Sequence, residues 1–273
     1  MNWRENQFRI YLKPGLTVGS PVTIAGYDYL PPSITLINEL VTGPAGSGDL
    51  SIVYLAPDST VGYIRGSIGI DVGTSFSIGA AVPNSALSIA NELIQGMHWP
   101  NTTSMKIIYQ KEANESARTT LATYQSPPLS EIIYWFEHIS INMYGELLVK
   151  TIAHVIDATF DSILPNYCQN EHGIEPTAVA TRDGCGLSPQ NRITTAAITR
   201  VLYDVRRRAP WFPFYENALP IINNIRMKSG FINNVLSFSG YVNSKVFSII
   251  TNNFNGETGS MREKLYNLLD TLK

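Results

Sequence analysis

Hydroxyl, carboxamide and ammonium groups recur at short spacing in three segments of this chain. The first is Ser140-Ile141-Asn142, which opens the run to Lys150. The second is Arg182-Asp183-Gly184-Cys185-Gly186-Leu187-Ser188-Pro189-Gln190-Asn191-Arg192. The third is Lys228-Ser229-Gly230, upstream of Ser237-Phe238-Ser239-Gly240-Tyr241-Val242. Alone, each has a structural explanation: a capping turn between two helices, a glycine loop, the start of a strand. Together their residue types agree with acyl transfer by serine. That chemistry needs, besides an activated nucleophile, a proton shuttle, an oxyanion hole and a carboxylate anchor.

Other chemistries find no support. No serine has glycines two residues away on both sides, so the nucleophile elbow of the α/β-hydrolases is absent. Gly43-Pro44-Ala45-Gly46-Ser47-Gly48 is followed by neither Gly-Lys-Ser/Thr nor a helix, and reads as a turn. His98, His138, His154 and His172 lack ligand spacing, and Cys168 and Cys185 are the two cysteines. No metal site is expected, nor a disulfide scaffold.

The elements that must position these segments change character between about residues 110 and 130. Before that point short β-branched or aromatic runs, bounded by Gly, Pro, Ser or Asp, predict strands at 8–12, 22–24, 33–37, 50–55 and 62–68. A helix is predicted over 84–97 with Asn84 or Ser85 as cap, and further strands at 105–110 and 117–123. After Pro128 the pattern turns helical. Ser130 is expected to cap a helix with Ile132, Ile133, Phe136 and Ile139 on one face. A second helix, 142–153, has Met143, Leu147, Leu148 and Ile152 spaced for burial. Further helices are expected at 155–164 and 194–208. Lys228-Ser229-Gly230 should enter a strand that ends near Val242. A hairpin of 234–241 and 245–252 and a helix over 260–272 complete the pattern. Strands, then helices, then a hairpin and helix read as α+β.

Composition narrows the class. With 273 residues, 44% of them hydrophobic, the chain can bury a sizeable core. Charged residues make up 15%, a net charge of -2, which excludes disorder and leaves no basic excess for nucleic acid. No apolar run approaches the ~18 residues that span a bilayer. The first residues, Met1-Asn2-Trp3-Arg4-Glu5-Asn6, show no signal peptide.

In this order the segments, with Ser126-Pro127-Pro128-Leu129-Ser130 ahead of them, resemble the D-alanyl-D-alanine carboxypeptidase/endopeptidase family of low-molecular-weight penicillin-binding proteins. The resemblance covers 117–273 and implies a penicillin-binding/β-lactamase-like transpeptidase fold, N-terminally incomplete. By position, 1–115 resembles the β-rich domain this family inserts, leaving 116–273 as the C-terminal portion of the catalytic domain. The implied function is serine-type cleavage of peptidoglycan stem peptides, without a cofactor. The implied ligands are D-Ala-D-Ala peptides and β-lactams, at the periplasm or cell envelope. By the same resemblance Ser140 relays protons, Asn142 bonds the substrate amide and Lys228 supplies positive charge. Ser229 holds the terminal carboxylate, Gly230 completes the motif and the Phe231 N–H forms half of the oxyanion hole. Cys185 stands where the family usually has serine.

The family's nucleophile lies in a Ser-x-x-Lys motif upstream of the inserted domain, and no such motif occurs in these 273 residues. The expectation is therefore a chain lacking its N-terminal part, with apolar surface exposed there and a tendency to form homo-oligomers. A non-catalytic relative that binds peptidoglycan or a partner is the alternative, and an unrelated α+β binding protein is a third.

Overall fold

The computed structural model describes residues 3–98, 119–120 and 122–273. The chain divides into two compact units, Met1–Thr119 and Thr120–Lys273.

The first unit is built on β1 (Gln7–Lys13), whose side chains alternate exposed and buried along its length. This period-2 pattern places Phe8, Ile10 and Leu12 in the core. β1 pairs antiparallel with β2 (Thr23–Tyr27) and with β8 (Ser77–Ala81). Between these lie β3 (Thr35–Asn38), β4 (Val41–Gly43), β5 (Ile52–Tyr54), β6 (Val61–Arg65) and β7 (Ser67–Gly69). β3 and β5 flank β6, and β4 pairs with β7. The strand expected over 62–68 is thus two strands, parted at Gly66. There φ is +105° and a Cβ would strike the Leu50 carbonyl. α1 (Ser85–Gly96) is capped by the Asn84 side chain, which accepts from the Leu87 N–H at 2.8 Å. The strand expected over 105–110 lies outside the described residues. Residues 119, 120, 122 and 123 of the one expected over 117–123 are not strand.

The second unit begins with α2 (Leu129–Ile139) and α3 (Asn142–Val155). Ser130 does not cap α2, because the helix already starts at Leu129, after Pro128. The buried stripe of α3 is Gly145, Val149 and Ala153, while Leu147 and Ile152 face solvent. No helix spans 155–164. The chain breaks at Asp157, in left-handed conformation, and resumes as α4 (Ile163–His172). Pro165 is accommodated in the first turn of α4, where its missing N–H has no helical partner.

After the β9–β10 pair (Val179–Ala180, Arg192–Ile193), Thr194 caps α5 (Thr195–Arg208) through the Ala197 N–H at 3.1 Å. α4 and α5 are tied by a buried pair, His172 Nδ1 to Asp204 Oδ2 at 3.0 Å. α6 (Phe212–Ala218) leads into an antiparallel sheet ordered β11 (Ile221–Ile222), β12 (Ile225–Ile232), β13 (Val235–Val242), β14 (Lys245–Asn252). Lys228-Ser229-Gly230 therefore lies in its own strand, β12, and Asn233-Asn234 turns the chain into β13.

One sheet face presents Ile225, Met227, Leu236, Phe238, Val242 and Phe247, which bury against Leu265 and Leu269 of α7 (Thr258–Asp270). The other face is covered at one end, where Tyr241 packs with Leu202 of α5 and Leu219 after α6 and donates its hydroxyl to the Leu202 carbonyl at 3.0 Å. Toward the Asn233-Asn234 turn that face opens into a cavity.

A candidate active-site cavity between sheet and helices

The floor of the cavity follows from strand alternation. Lys228 and Gly230 of β12 lie opposite Ser239 and Ser237 of β13, which lie opposite Ser248 and Ile250 of β14. Opposite residues share a face, so Lys228, Gly230, Ser237, Ser239 and Ile250 all line the cavity, whose volume is about 1020 Å³. The face is polar where its opposite is apolar, and Ser239 and Ser248 hydrogen-bond each other at 2.8 Å.

β12 also offers its edge. With a two-residue turn between Ile232 and Val235, the hydrogen-bonded pairs fall at Ile232, Gly230 and Lys228. The intervening N–H groups, those of Phe231, Ser229 and Met227, point away from β13. The Met227 N–H shows this directly, donating to the Pro220 carbonyl at 3.1 Å. β11 pairs with only Ile225 and Arg226 of β12, and no described strand pairs with the edge at Ser229 and Phe231, which line the cavity.

The opposite wall comes from the α2–α3 corner. α2 ends at Ser140, held in the left-handed region at φ +59°, ψ +50°, and α3 starts two residues later at Asn142. For a residue with a Cβ this backbone costs about 1–2 kcal/mol. The turn leaves both Ser140 and Asn142 on the cavity wall. Lys228 reaches across to it: Nζ donates to the Glu137 main-chain carbonyl at 2.9 Å, ninety-one residues away in sequence. Burial pushes the Lys228 ammonium below its ordinary value, and the Glu137 carboxylate partly offsets this. Burial also pushes the Glu137 carboxyl up, with Lys228 opposing.

The third wall is the 182–192 loop, pinned to α3 by a contact only glycines allow. A Cβ on Gly145 would lie 2.5 Å from the Gly184 carbonyl oxygen, and one on Gly184 would meet the Gly145 carbonyl in turn. The Gly184 N–H donates to Glu146 Oε1 at 2.7 Å. Within the loop Asp183 accepts from the Gly186 N–H at 2.6 Å, the Ser188 N–H and Asn191 Nδ2 at 2.9 Å. Burial pushes the Asp183 carboxyl up, but these donors outweigh it and leave it below the usual carboxylate range. Glu146, Asp183 and Cys185 bring potential metal-ligand atoms within 4.8 Å of one another. Their convergence is already explained by the hydrogen bonds of Glu146 and Asp183 that lock the loop. Burial raises the Cys185 thiol, which therefore stays protonated near neutral pH.

Ser140, Asn142, Lys228, Ser229, Gly230 and Phe231 thus all border one cavity. Sequence reasoning missed its further lining by Glu137, Ser237, Ser239 and Asn191. The two serines two positions apart in β13, Ser237 and Ser239, were the available signal for two of them. Glu137 had none, since an acid on a helix reads as a solvated face.

Chemically, the cavity combines two cations, Lys228 and Arg192, with hydroxyls, carboxamides and outward N–H groups at a strand edge. That set suits an extended peptide with a terminal carboxylate. Residues 3–271 match the model of the D-Ala-D-Ala carboxypeptidase 3 (S13) family. The D-alanyl-D-alanine carboxypeptidase of Actinomadura sp. (strain R39) is 24% identical over 253 residues, 81% of this chain and 46% of that protein. The chain thus spans about half the length of this curated relative. Penicillin binding protein 4 of Haemophilus influenzae, solved in complex with a β-lactam, superposes with a TM-score of 0.70 at 16% identity. The match covers 98% of this chain and 70% of that one. A second structure of the protein gives 0.67 at 17% identity, covering 97% and 67%. The fold is that of these penicillin-binding proteins.

Proposed function

Because the chain belongs to the D-Ala-D-Ala carboxypeptidase 3 (S13) family, we propose that its cavity binds the D-Ala-D-Ala end of peptidoglycan stem peptides for serine-type carboxypeptidase or endopeptidase chemistry. The observation that carries this reading is the convergence of Ser140, Asn142 and the Lys228–Phe231 strand edge on one cavity. The terminal carboxylate sits against Lys228 and Ser229, where one charge and one hydroxyl can meet it. The substrate amide bonds Asn142. Ser140 relays a proton, helped by a corner that fixes its position. The outward Phe231 N–H stabilises the oxyanion that develops on the scissile carbonyl.

These residues supply binding, proton relay and charge stabilisation, while residues 1–273 contain no Ser-x-x-Lys nucleophile. Residues 1–115 are read as the family's inserted domain and 116–273 as the part that forms the cavity. Such a substrate places the protein's work at the cell envelope, and β-lactams, which mimic the dipeptide, are expected to compete for the same cavity.

Calorimetric titration with N-acetyl-D-Ala-D-Ala tests the reading. Binding is expected to weaken at least tenfold in Lys228→Ala and when the terminal carboxylate is amidated. Equal affinity for acid and amide would overturn it.

A further inference from the structure

Glu137 is the acid of the cavity, and no role for it follows from the motifs. It lies in the last turn of α2, three residues before Ser140, and lines the cavity with Lys228. Its main-chain carbonyl takes the Lys228 ammonium at 2.9 Å. Its side chain interacts electrostatically with Lys228 from β12 and with Tyr215 from α6, the helix packed on α2. α3, also packed on α2, carries the titratable residues Tyr144, Glu146, Lys150 and His154, of which Glu146 accepts from the Gly184 N–H. Tyr215 is uncharged, because burial first and then Glu137 and Tyr241 hold its hydroxyl far above its ordinary value. Glu137 and Lys228 are the charges at this wall of the cavity, and Arg192 lines it from the 182–192 loop.

We propose that Glu137 is a positioning residue for Lys228, holding its ammonium through the main-chain carbonyl and tuning through its carboxylate how strongly the cavity attracts an anion. The consequence for ligand binding rests on the reading above, in which Lys228 faces a substrate carboxylate. With Glu137 ionised, its charge offsets part of the lysine's, and a carboxylate entering the cavity meets both an attraction and a repulsion. As pH falls and Glu137 takes a proton, its repulsion is lost while Lys228 and Arg192 keep their charge, and anion binding tightens. At the alkaline end the same carboxylate keeps Lys228 charged against its burial, so binding persists to higher pH than a lone buried lysine would allow. Charge in the cavity is thereby graded by pH at a position that leaves the main-chain hydrogen bond intact.

Glu137→Gln tests this, since the substitution preserves shape and the main-chain carbonyl. NMR titration of Lys228 is the first readout: its midpoint is expected to move to lower pH in Glu137→Gln and to return in Glu137→Asp. An unchanged midpoint overturns the proposal. Titration with N-acetyl-D-Ala-D-Ala between pH 5 and 9 is the second. The unaltered chain should bind more tightly as pH falls through the Glu137 titration. The Gln variant should bind roughly fivefold tighter near pH 7.5, lack the acid limb and lose affinity at lower alkaline pH. The same acid limb in both proteins overturns the proposal. If neither protein binds the dipeptide, the functional reading fails instead, and the Lys228 midpoint still decides the role of Glu137.

Discussion

Ser140 carries its hydroxyl on a backbone that would suit glycine better, at φ +59°. The strain persists because α2 and α3 leave a turn of two residues between them, and such strain collects where function requires it. Ser140→Gly is therefore expected to raise stability by up to about 1 kcal/mol in urea unfolding, the relieved strain being partly offset by glycine's greater freedom when unfolded. The same change should abolish the proton relay. Gly184→Ala is the converse. Its Cβ would press on the Gly145 carbonyl, costing about 1–3 kcal/mol and displacing the loop. Dipeptide binding should fall with stability there, whereas in Ser140→Gly the two move apart. Lys228 and Ser140 were legible in the sequence because their neighbours are distinctive. Glu137 was not, since its environment is made by residues from β12 and α6 far along the chain.

Among elements, the sheet that carries Lys228 is turned by asparagines. Asn223, Asn224, Asn234 and Asn243 all have positive φ between its strands. Asparagine tolerates this region better than other residues with a Cβ, which gives the abundance of Asn in the sequence a physical reason. Asn224→Gly should leave stability within about 0.5 kcal/mol, whereas Asn224→Val should cost about 1–2 kcal/mol, read as a shift in urea midpoint. Asn233-Asn234 lacks the glycine that marks the commonest two-residue turns, so the turn was not read and β12 and β13 read as one strand. α6 escaped notice because Pro213 and its aromatic residues obscure helical periodicity, although proline fits a first turn.

The α4–α5 junction supplies a pH test. The hydrogen bond from His172, then Arg200 and Arg208, hold the Asp204 carboxyl below its ordinary value against its burial. A depressed carboxyl stabilises fully above its unfolded pKa and loses that stabilisation as pH falls through its folded one. Asp204→Ala should cost about 3 kcal/mol at neutral pH, because it leaves buried His172 without its partner. That cost should shrink below about pH 4, where the unaltered chain loses the same interaction. A constant difference across pH would contradict the assignment.

At the scale of the molecule, each unit has its own core. Phe8, Ile10 and Ile64 anchor the first, and Met227, Phe238 and Leu269 the sheet of the second. The described residues that line the cavity all belong to the second unit. Residues 120–273 expressed alone should melt cooperatively and keep dipeptide binding, and a broad melt would show that this core needs more of the chain. The order of strands, helices and terminal hairpin was legible because hydrophobic period and turn residues are local signals. The meeting of α2, β12 and the 182–192 loop was not, since no local pattern encodes contacts across ninety residues. Motif order stood in for that geometry.

The central claim is that Ser140, Asn142 and the Lys228–Phe231 edge form one binding site for a D-Ala-D-Ala terminus. The most direct test is an NMR perturbation map of the whole chain titrated with N-acetyl-D-Ala-D-Ala, against the L-Ala-L-Ala analogue. The account predicts saturable shifts at Ser140, Asn142, Ser229, Gly230 and Phe231 with the D-peptide, and much weaker ones with the L-peptide. Shifts centred elsewhere, or equal responses to both peptides, would contradict it.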